Sequence, residues 1–331
     1  MQKILLISTG GTIASIDSKD GLVPVDSHQL LKSILENEEA TIDSKTILVL
    51  DSSNIQPEEW KIIAEEIYHN LNSYDGIIVT HGTDTMAYTA SMISFMVQNP
   101  NIPIIFTGSQ LPILHPLTDA IDNLRCAFAM AKSKIPGVFL AFNRKIMFGC
   151  RSVKARTSSF DAFESINLFP LGRVSATGLS IQKNMIQTTQ QPPRLVLDIN
   201  TNVFLLKLTP TTNPSIIPLL LSAGIEGIVI EAYGAGGISY IRRDFIKEIK
   251  NAIAKGVPIV VSSQCLYERS NFNIYEVGTK VIASGAIEAY DMTSEAAVTK
   301  LMYTLGQTKD LVEIKKIFLT PIANEINPNH D

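Results

Sequence analysis

The chain contains a series of short aliphatic runs, each of which ends abruptly in small, hydroxyl-bearing or acidic residues. Residues 4–7 lead into Thr9-Gly10-Gly11-Thr12, and residues 76–79 lead into His81-Gly82-Thr83-Asp84-Thr85. Runs this short and this aliphatic are typical of strands that are buried on both faces of a parallel sheet. Loops at the carboxyl ends of such strands converge on a ligand crevice, so we expect the threonines of the two turns to meet.

Segments with helical periodicity separate these runs. Pro57 opens a predicted helix over 57–67, and a second helix is predicted over 85–97. Further strands are predicted at 46–50, 104–106 and 138–142. This alternation predicts right-handed crossovers and an α/β fold with a doubly wound, mostly parallel sheet.

The length of the chain and a break in its periodicity predict two domains. At 331 residues it exceeds one typical core. Between Gln187 and Arg194 the pattern is lost and two prolines stand together, as in an interdomain linker. We predict a larger N-terminal domain over 1–190 that carries the catalytic residues, and a smaller α/β C-terminal domain over 195–331.

Composition excludes several classes of partner. The apolar content of 45%, the net charge of −4 and the lack of a Lys/Arg cluster predict a soluble protein that does not bind nucleic acid. The first aliphatic run is far too short for a signal peptide or a membrane span, so we expect a cytoplasmic protein without a membrane partner. Cys126, Cys150 and Cys265 are widely spaced, and predict neither a disulfide framework nor a zinc site.

The turns that follow the strands offer the groups that a threonine nucleophile requires. A threonine hydroxyl needs a base beside it and hydrogen-bond donors for the developing oxyanion. Lys154 and Asp84 can supply and orient the base, and the backbone amides at Gly10-Gly11 and Gly108 can stabilise the anion. A polar stretch over 15–26 is predicted to cover the site as a lid.

Each of these features taken alone has a simpler explanation. Thr-Gly-Gly-Thr also fits a tight turn or a phosphate loop, although the common nucleotide-binding patterns are absent. Asp84 also fits a helix cap and Lys154 a solvated surface lysine. Ser52 and Ser53 also fit the polar start of a loop. The coincidence of five strand ends with matched small polar groups favours a site.

Several motifs together strongly resemble the bacterial-type L-asparaginase family, and in particular its cytoplasmic, type I branch. In the first half they are Thr9-Gly10-Gly11-Thr12-Ile13, Asp51-Ser52-Ser53, the turn His81-Gly82-Thr83-Asp84-Thr85, Thr107-Gly108-Ser109-Gln110, and Lys154. In the second half they are Tyr233-Gly234-Ala235-Gly236-Gly237, Gln264-Cys265 and Asp291-Met292-Thr293-Ser294-Glu295. The resemblance therefore covers nearly the whole chain.

This resemblance implies hydrolysis of L-asparagine to L-aspartate and ammonia by double displacement, without a metal or cofactor. Thr12 matches the nucleophile that forms the acyl-enzyme. Thr83, Asp84 and Lys154 match a second group that activates the attack or the incoming water. The resemblance also implies a homodimer or homotetramer.

The same resemblance assigns residues to the substrate. Ser52 and Ser53, in the turn that begins at Asp51, match the positions that hold the α-carboxylate together with turn amides at Gly11 and Gly82. Asp84 matches the group that meets the substrate ammonium. Ser109 matches the position whose backbone carbonyl accepts the side-chain amide.

The sequence departs from the family pattern at three positions. Leu22 stands where many members have a tyrosine on the lid, so the activation of Thr12 is not explained by that hydroxyl. Glu231 and Val153 stand where some type I members have a basic residue and a threonine that bind an effector asparagine. An acidic side chain cannot pair with the effector's α-carboxylate, so we predict that this allosteric response is absent.

Other functions stay open on the sequence alone. One is an amidohydrolase with another amide substrate, either an enzyme for free glutamine or the ammonia-supplying subunit of an enzyme that works on misacylated tRNA. That subunit usually carries an additional N-terminal domain and needs a partner, and we expect neither here because the first predicted strand begins directly at the start of the sequence. Another is a non-catalytic amino-acid-binding protein on the same fold. Preference for asparagine over glutamine depends on one methylene and cannot be derived from the sequence.

Overall fold

The computed structural model describes residues 1–18, 21–26, 28–35, 40–186 and 189–327. Part of the predicted lid (19 and 20), part of the predicted linker (187 and 188) and the last residues of the predicted second domain (328–331) lie outside these ranges. The chain divides into two compact units, Met1–Leu197 and Asp198–Asp331.

The first unit is built on one large sheet with helices between its strands. Its strands are β1 (Gln2–Gly10), β2 (Ser15–Ser18), β3 (Gly21–Pro24), β4 (Ala40–Leu50), β5 (Gly76–Thr80), β6 (Val97–Gln98), β7 (Pro103–Thr107), β8 (Gly137–Phe142), β9 (Lys145–Phe148), β10 (Ser152–Lys154), β11 (Phe163–Ser165), β12 (Gly172–Ser175), β13 (Gly178–Ile181) and β14 (Arg194–Leu195). Its helices are α1 (His28–Leu35), α2 (Pro57–Asn70), α3 (Met86–Met96) and α4 (Ala120–Ala131).

The large sheet has the strand order β13-β12-β9-β8-β7-β5-β1-β4. The strands from β8 to β4 pair in parallel, whereas β9, β12 and β13 extend the sheet with antiparallel pairs. Every residue of β5 and β7 is buried, which explains their uninterrupted aliphatic character. Strand β4 begins at Ala40, before the predicted 46–50, and forms one edge of the sheet. Its first half mixes polar with aliphatic residues, so it lacks the aliphatic run that predicted the second half.

The order in which the chain adds parallel strands to the sheet reverses beside β1. Counted along the chain, the five parallel strands have the spatial order 2-1-3-4-5, so the switch point lies between β1 and β5. In open sheets of this type the ligand crevice lies outside the carboxyl ends of the strands at the switch point. The turns that begin at Gly10 and His81 stand at these two strand ends.

The segment after β1 is a hairpin. Strands β2 and β3 pair antiparallel, with Ser15 opposite Pro24 and Ser18 opposite Gly21. The Val25 amide donates to the Ala14 carbonyl at 2.7 Å, which fixes the base of the hairpin beside the β1 turn. Within the described part of the predicted lid, the backbone is therefore regular.

The chain stays with the first unit as far as Leu197. Strand β14 pairs antiparallel with β6, and the Val196 amide donates to the Met96 carbonyl at 2.8 Å. Residues 195–197, which we assigned to the C-terminal domain, thus pack within the first unit.

The second unit is a smaller parallel sheet flanked by helices. Its elements are β15 (Val203–Lys207), α5 (Ile216–Ser222), β16 (Gly227–Ala232), α6 (Phe245–Ala254), β17 (Ile259–Ser263), α7 (Glu276–Ala283), β18 (Ile287–Glu288), α8 (Ser294–Gln307) and α9 (Leu311–Leu319). The strand order is β15-β16-β17-β18, with parallel pairing throughout. Alternate residues of β16 face the two sides, with Ile228 in one buried cluster and Val229 in the other.

The second unit also contains a buried ion pair that the sequence did not indicate. Lys300 on α8 and Glu325 have fully buried side chains that pair with each other. Lys300 also donates to the Thr320 carbonyl, and Glu325 accepts the amides of Ile322 and Ala323. This network ties the segment after α9 to α8.

These observations confirm the predicted fold class, a doubly wound mostly parallel sheet followed by a smaller α/β unit. Across the residues described, no helix has the length and apolar content needed to cross a membrane.

Candidate functional site

Glycines let the turns after β1, β4 and β5 pack against each other. A Cβ atom on Gly11 would lie 2.3 Å from the Gly82 amide nitrogen and 2.4 Å from its Cα. A Cβ atom on Gly82 would in turn lie 2.6 Å from the Cβ of Ser52. The backbones of the three turns therefore touch, which places Thr12 and Thr83 next to one another because each directly follows a touching glycine.

Thr12 begins a short 3-10 helix, Thr12–Ala14, at the end of β1. The side chain is half-buried, and its hydroxyl has no hydrogen-bond partner within the described part of the chain. The turn itself is held by Ser15, whose hydroxyl donates to the Gly11 carbonyl at 2.9 Å. The Gly11 amide donates to the Leu50 carbonyl at 2.8 Å, so this amide is already engaged and does not fill the anion-binding role that we predicted for it.

Thr83, Lys154 and Asp84 form a hydrogen-bonded group. The Lys154 Nζ donates to Thr83 Oγ1 at 2.8 Å and to Asp84 Oδ1 at 2.5 Å. The Lys154 side chain is 17% exposed and the Asp84 side chain 61% exposed, so the lysine is sheltered and the carboxylate reaches solvent. Neither residue therefore has the simpler role of a solvated lysine or a helix cap.

Lys154 is positioned by a small ladder. Strand β10 pairs antiparallel with β11, with Lys154 opposite Phe163 and Val153 opposite Glu164. Phe163 and Val153 are buried, which fixes the backbone on both sides of the lysine. A lysine side chain with four methylenes then spans from this ladder to the turn after β5.

The turn after β4 supports Asp84. The Asp84 amide donates to Ser52 Oγ at 3.2 Å, and the Thr85 hydroxyl donates to the Ser52 carbonyl at 2.7 Å. Asp51 accepts the Ser53 amide at 2.9 Å and also its hydroxyl. Asp51 therefore shapes the 52–54 turn, while Ser52 is buried and Ser53 is exposed.

The turn after β7 brings Gln110 to Thr83. The Thr83 hydroxyl donates to Gln110 Oε1 at 3.4 Å. The Asp119 carboxylate accepts the amides of Gln110 at 3.0 Å and Leu111 at 3.1 Å, which fixes the turn. Ser109 is buried, and its hydroxyl donates to the Leu111 carbonyl at 2.5 Å.

His81 is fully buried and has both ring nitrogens engaged. Nδ1 donates to the Gly82 carbonyl at 2.7 Å, and Nε2 accepts from the Thr89 hydroxyl at 3.0 Å, which itself accepts from the Trp60 indole at 3.0 Å. Burial lowers the pKa of His81 to about 4. The residue is therefore a neutral component of the turn and not a base.

Two backbone donors remain available at the centre of the site. The amides of Gly82 and Thr83 donate to no acceptor among the residues that the structure describes. Adjacent free amides beside a hydroxyl–lysine pair are suited to an oxyanion or a carboxylate. In the described ranges, no three His, Cys, Asp or Glu side chains come together to hold a metal ion.

The arrangement can therefore bind a small anion and activate a hydroxyl, and comparison with known families identifies it further. A family model described as "Asparaginase, N-terminal" matches residues 3–187, and one described as "Glutaminase/Asparaginase C-terminal domain" matches residues 202–318. The chain belongs to the asparaginase family.

Individual relatives agree with this assignment. An L-asparaginase of Thermococcus kodakarensis is 41% identical over 98% of this chain and 99% of its own. The solved structure of a thermostable L-asparaginase from the same organism has a TM-score of 0.93 at 40% identity, over 99% of this chain and 100% of that chain. L-asparaginase I from Vibrio cholerae has a TM-score of 0.89 at 30% identity, over 98% and 99% of the two chains. The resemblance to the type I branch of the asparaginases is thus confirmed.

A second group of relatives is named as amidotransferase subunits and not as asparaginases. A glutamyl-tRNA(Gln) amidotransferase subunit from Methanosphaera stadtmanae is 37% identical over 98% of this chain, which spans 77% of that relative. The chain is therefore similar both to proteins named as L-asparaginases and to proteins named as amidotransferase subunits.

The predicted site residues lie in neighbouring turns. Those that contact one another are Gly11, Ser52, Gly82, Thr83, Asp84 and Lys154, with Thr12, Asp51 and Ser53 in the same turns. Ser109 lies in the turn after β7, where a Cβ atom on the preceding glycine, Gly108, would lie 2.3 Å from the His81 carbonyl oxygen. No role was predicted for Gln110, Thr85 or Asp119, although Gln110 and Thr85 stand within the quoted motifs. Their polar side chains in a loop gave no periodic signal, and only the fold shows what they contact.

Two residues that depart from the family pattern, Leu22 and Glu231, can be placed in the structure. The Leu22 side chain is 46% exposed on the hairpin. Oε1 of Glu231 accepts the Ser294 hydroxyl at 2.6 Å, and its Oε2 lies 3.6 Å from Lys207 Nζ. The carboxylate is therefore held by residues of the second unit.

Proposed function

We propose that this protein hydrolyses the side-chain amide of L-asparagine to L-aspartate and ammonia through an acyl-enzyme on Thr12. The observation that carries the proposal is the Thr83–Lys154–Asp84 group, held against the Thr12 turn by the contact between Gly11 and Gly82. Membership of the asparaginase family and the L-asparaginase relatives support it.

The reaction has two displacements. Thr12 Oγ attacks the amide carbonyl carbon, its proton passes to the leaving nitrogen, and ammonia departs as the ester bond to Thr12 forms. A water molecule then attacks the ester carbonyl, and Thr12 recovers its proton as L-aspartate is released. In both steps the negative charge on the carbonyl oxygen needs donors, and the free amides of Gly82 and Thr83 are suited to this role.

The Thr83–Lys154 pair supplies proton transfer. Oγ1 of Thr83 already accepts a hydrogen bond from Lys154. When the hydroxyl takes a proton from the attacking group it passes its own proton to the amine, and the reverse exchange delivers a proton to the leaving nitrogen. Asp84 orients Lys154 through a single carboxylate oxygen, Oδ1. Activation of Thr12 is assigned to this group because Leu22 cannot supply a hydroxyl from the hairpin.

Substrate recognition needs one cationic and one anionic partner at a fixed separation. Oδ2 of Asp84 has no partner among the described residues and is assigned to the substrate ammonium. The proton of the Ser52 hydroxyl is assigned to the α-carboxylate. The amide and the hydroxyl of Ser53 both donate to Asp51, so Ser53 is assigned to the turn that presents Ser52. The backbone carbonyl of Ser109 is assigned to the amide NH₂ group.

A second candidate function is hydrolysis of the side-chain amide of free glutamine, either by itself or as the subunit that supplies ammonia for the amidation of misacylated tRNA. The relatives named as glutamyl-tRNA(Gln) amidotransferase subunits favour it, because they match nearly the whole of this chain. We place asparagine first because the L-asparaginase of Thermococcus kodakarensis is the more similar relative and matches almost end to end.

We infer the localisation, assembly and partners of the enzyme from its membership of the asparaginase family. We infer a cytoplasmic homodimer or homotetramer that binds no nucleic acid and no membrane and needs no metal or cofactor. Light scattering at micromolar concentration tests the assembly, and a monomer contradicts it. The effector response is inferred to be absent because of Glu231 and Val153; sigmoidal asparagine kinetics that disappear on changing either residue contradict this.

The test of function is ammonia release from L-asparagine and L-glutamine. It is run on the wild type, on Thr12→Ala and Thr83→Ala, and on Thr41→Ala, a control at an exposed threonine near the start of β4. We expect robust asparagine turnover by the wild type and the control, and losses of about 10³-fold or more in the two site variants. A wild type that hydrolyses only glutamine supports the second candidate. A wild type that hydrolyses neither amide, while asparagine raises its melting temperature, indicates a binding protein.

A further inference from the structure

A chain of three buried side chains ends at the peptide bond between Gly82 and Thr83. The Trp60 indole on α2 donates to the Thr89 hydroxyl on α3 at 3.0 Å. The Thr89 hydroxyl lies 3.0 Å from His81 Nε2, and His81 Nδ1 lies 2.7 Å from the Gly82 carbonyl oxygen. All three side chains are buried, His81 and Thr89 completely. None of the reaction steps proposed above uses this chain.

The hydrogen bonds of this chain can run in one direction only. A carbonyl oxygen only accepts, so the proton of the imidazole must be on Nδ1. Burial lowers the pKa of His81 to about 4, so the ring is neutral and Nε2 is an acceptor. An indole only donates, so the Thr89 oxygen accepts from Trp60 and turns its own proton toward Nε2. The chain therefore runs from Trp60 to the Gly82 carbonyl.

The Gly82–Thr83 peptide has few other restraints. The backbone of His81 is fixed, because its amide donates to the Thr107 carbonyl at 2.9 Å. Gly82, which follows, has no side chain to restrict its dihedral angles. Among the residues that the structure describes, no backbone amide donates to the Gly82 carbonyl oxygen. The hydrogen bond from His81 Nδ1 therefore fixes the plane of this peptide.

The plane of the peptide decides where the Thr83 amide points. The carbonyl and the N–H of a trans peptide point in opposite directions, and the described part of the chain has no cis peptide. Because the Gly82 oxygen is held against the buried His81 ring, the Thr83 N–H points away from that ring. This N–H belongs to the residue whose hydroxyl contacts Lys154, and it is one of the two free amides described above. A rotation that released the Gly82 carbonyl would turn the Thr83 N–H as well.

We propose that His81 is a positioning residue that holds the Gly82–Thr83 peptide so that the Thr83 amide can donate to the negatively charged oxygen formed in each displacement. This inference rests on the proposed amidohydrolase function and deepens it. His81 acts through the peptide, contacts neither the substrate nor the reacting hydroxyls, and keeps its Nδ1 proton throughout the reaction.

Two variants of His81 each keep one of its two contacts. In His81→Asn, the amide nitrogen takes the place of Nδ1, so the donor to the Gly82 carbonyl is kept and the acceptor for Thr89 is lost. In His81→Gln, the amide reaches the place of Nε2, so the acceptor for Thr89 is kept and the donor to Gly82 is lost. A third variant, Thr89→Val, has nearly the same shape as the wild type and loses the hydroxyl but leaves the Nδ1 contact in place.

The measurements are kcat and KM for L-asparagine, with Tm for each variant. His81→Gln is expected to lower kcat by about tenfold with KM within about threefold, because the misdirected amide is needed only when charge develops in the transition state. His81→Asn and Thr89→Val are expected to keep kcat within about threefold of the wild type, although each loses a buried hydrogen bond and lowers Tm. A purely structural role for His81 predicts no difference in kcat between its Asn and Gln variants.

The tautomer of His81 gives a second measurement that does not depend on activity. The protein is prepared with ¹⁵N-labelled histidine, and the His81 signals are identified among those of the five histidines by their absence in His81→Asn. At pH 7 we expect a protonated Nδ1 and an unprotonated Nε2. A protonated Nε2 at this pH refutes the inference, because the ring would then have no proton for the Gly82 carbonyl.

The kinetic outcomes separate this inference from the function on which it rests. An active wild type with His81→Gln within about threefold of its kcat refutes the inference alone. Equal losses of kcat in His81→Gln and His81→Asn also refute it alone, and so does a loss in Thr89→Val as large as that in His81→Gln. A wild type that hydrolyses neither amide refutes the proposed function, and this inference with it.

Discussion

The close contact between Gly11 and Gly82 holds the Thr12 and Thr83 turns together, and Gly11→Ala tests how much the site depends on it. Gly11 has φ 78° and ψ 178°, a conformation essentially restricted to glycine. A Cβ there would lie 2.3 Å from the Gly82 nitrogen and 2.9 Å from the His81 carbonyl carbon. These are backbone atoms beside a fully buried histidine, so they cannot move aside as a flexible side chain can.

The expected cost has two parts. Placing alanine in this backbone region costs about 1–3 kcal/mol. Overpacking against fixed atoms adds about 1–3 kcal/mol. Gly178→Ala is the matched control, because Gly178 also has a positive φ, 93°, but a Cβ there would meet nothing within 4 Å. The control therefore carries the conformational cost without the steric one.

Thermal unfolding and asparagine kinetics measure the two consequences. For a unit of this size we expect Gly11→Ala to lower Tm by about 2–4 °C for each kcal/mol, and by clearly more than Gly178→Ala. Relief of the clash must separate the β1 and β5 turns, and a misplacement of about 1 Å costs roughly 10²-fold in kcat/KM. Equal Tm changes in the two variants, with kcat/KM of Gly11→Ala within about threefold of the wild type, would refute the reasoning.

Two further predictions concern stability. Because the pKa of His81 is about 4 when folded and about 6.5 when unfolded, the unfolded state binds more protons between these values, and stability that is complete above pH 6.5 falls by about 3 kcal/mol as pH drops to 4. Urea unfolding across this window should show a steeper pH dependence for the wild type than for His81→Gln, and equal slopes contradict the prediction. Glu325→Gln should destabilise the protein by about 3–5 kcal/mol in urea unfolding because it leaves Lys300 buried and unpaired. The control Glu226→Gln, which breaks an exposed pair with Lys309, should cost at most about 1 kcal/mol, and equal effects of the two variants would count against the account.

The parallel strands of the first unit were predictable because burial on both faces determines the residue types of each strand by itself. Strands buried on both faces must be aliphatic throughout, as β5 and β7 are, and their carboxyl ends must meet at one edge. The threonines of two distant turns could therefore be placed together from the sequence alone. The identity of the site then depended on motifs that match a family.

The features of the structure that were not predicted depend on contacts between residues that are far apart in the sequence. The antiparallel strands β12 and β13 are short and partly exposed, so they lack the aliphatic signal of the core. Strand β9 is buried over 146–148 but has only four residues, too few to stand out in the sequence. Lys300 looked like an ordinary charged residue of a helix, and only the return of the chain to Glu325 explains its burial. The Gly11 amide was predicted to bind an anion, but it donates to the carbonyl of Leu50, and this contact between the ends of two strands leaves no pattern in the sequence.

The central claim is that the acyl group forms on Thr12, and one measurement addresses it directly. The wild type is mixed with L-asparagine, quenched with acid within a single turnover, digested, and its peptides are weighed by mass spectrometry. We expect one added aspartyl group on the peptide that contains Thr12, and no such adduct in Thr12→Ala. An aspartyl group on the Thr83 peptide, or turnover that Thr12→Ala leaves undiminished, would contradict it.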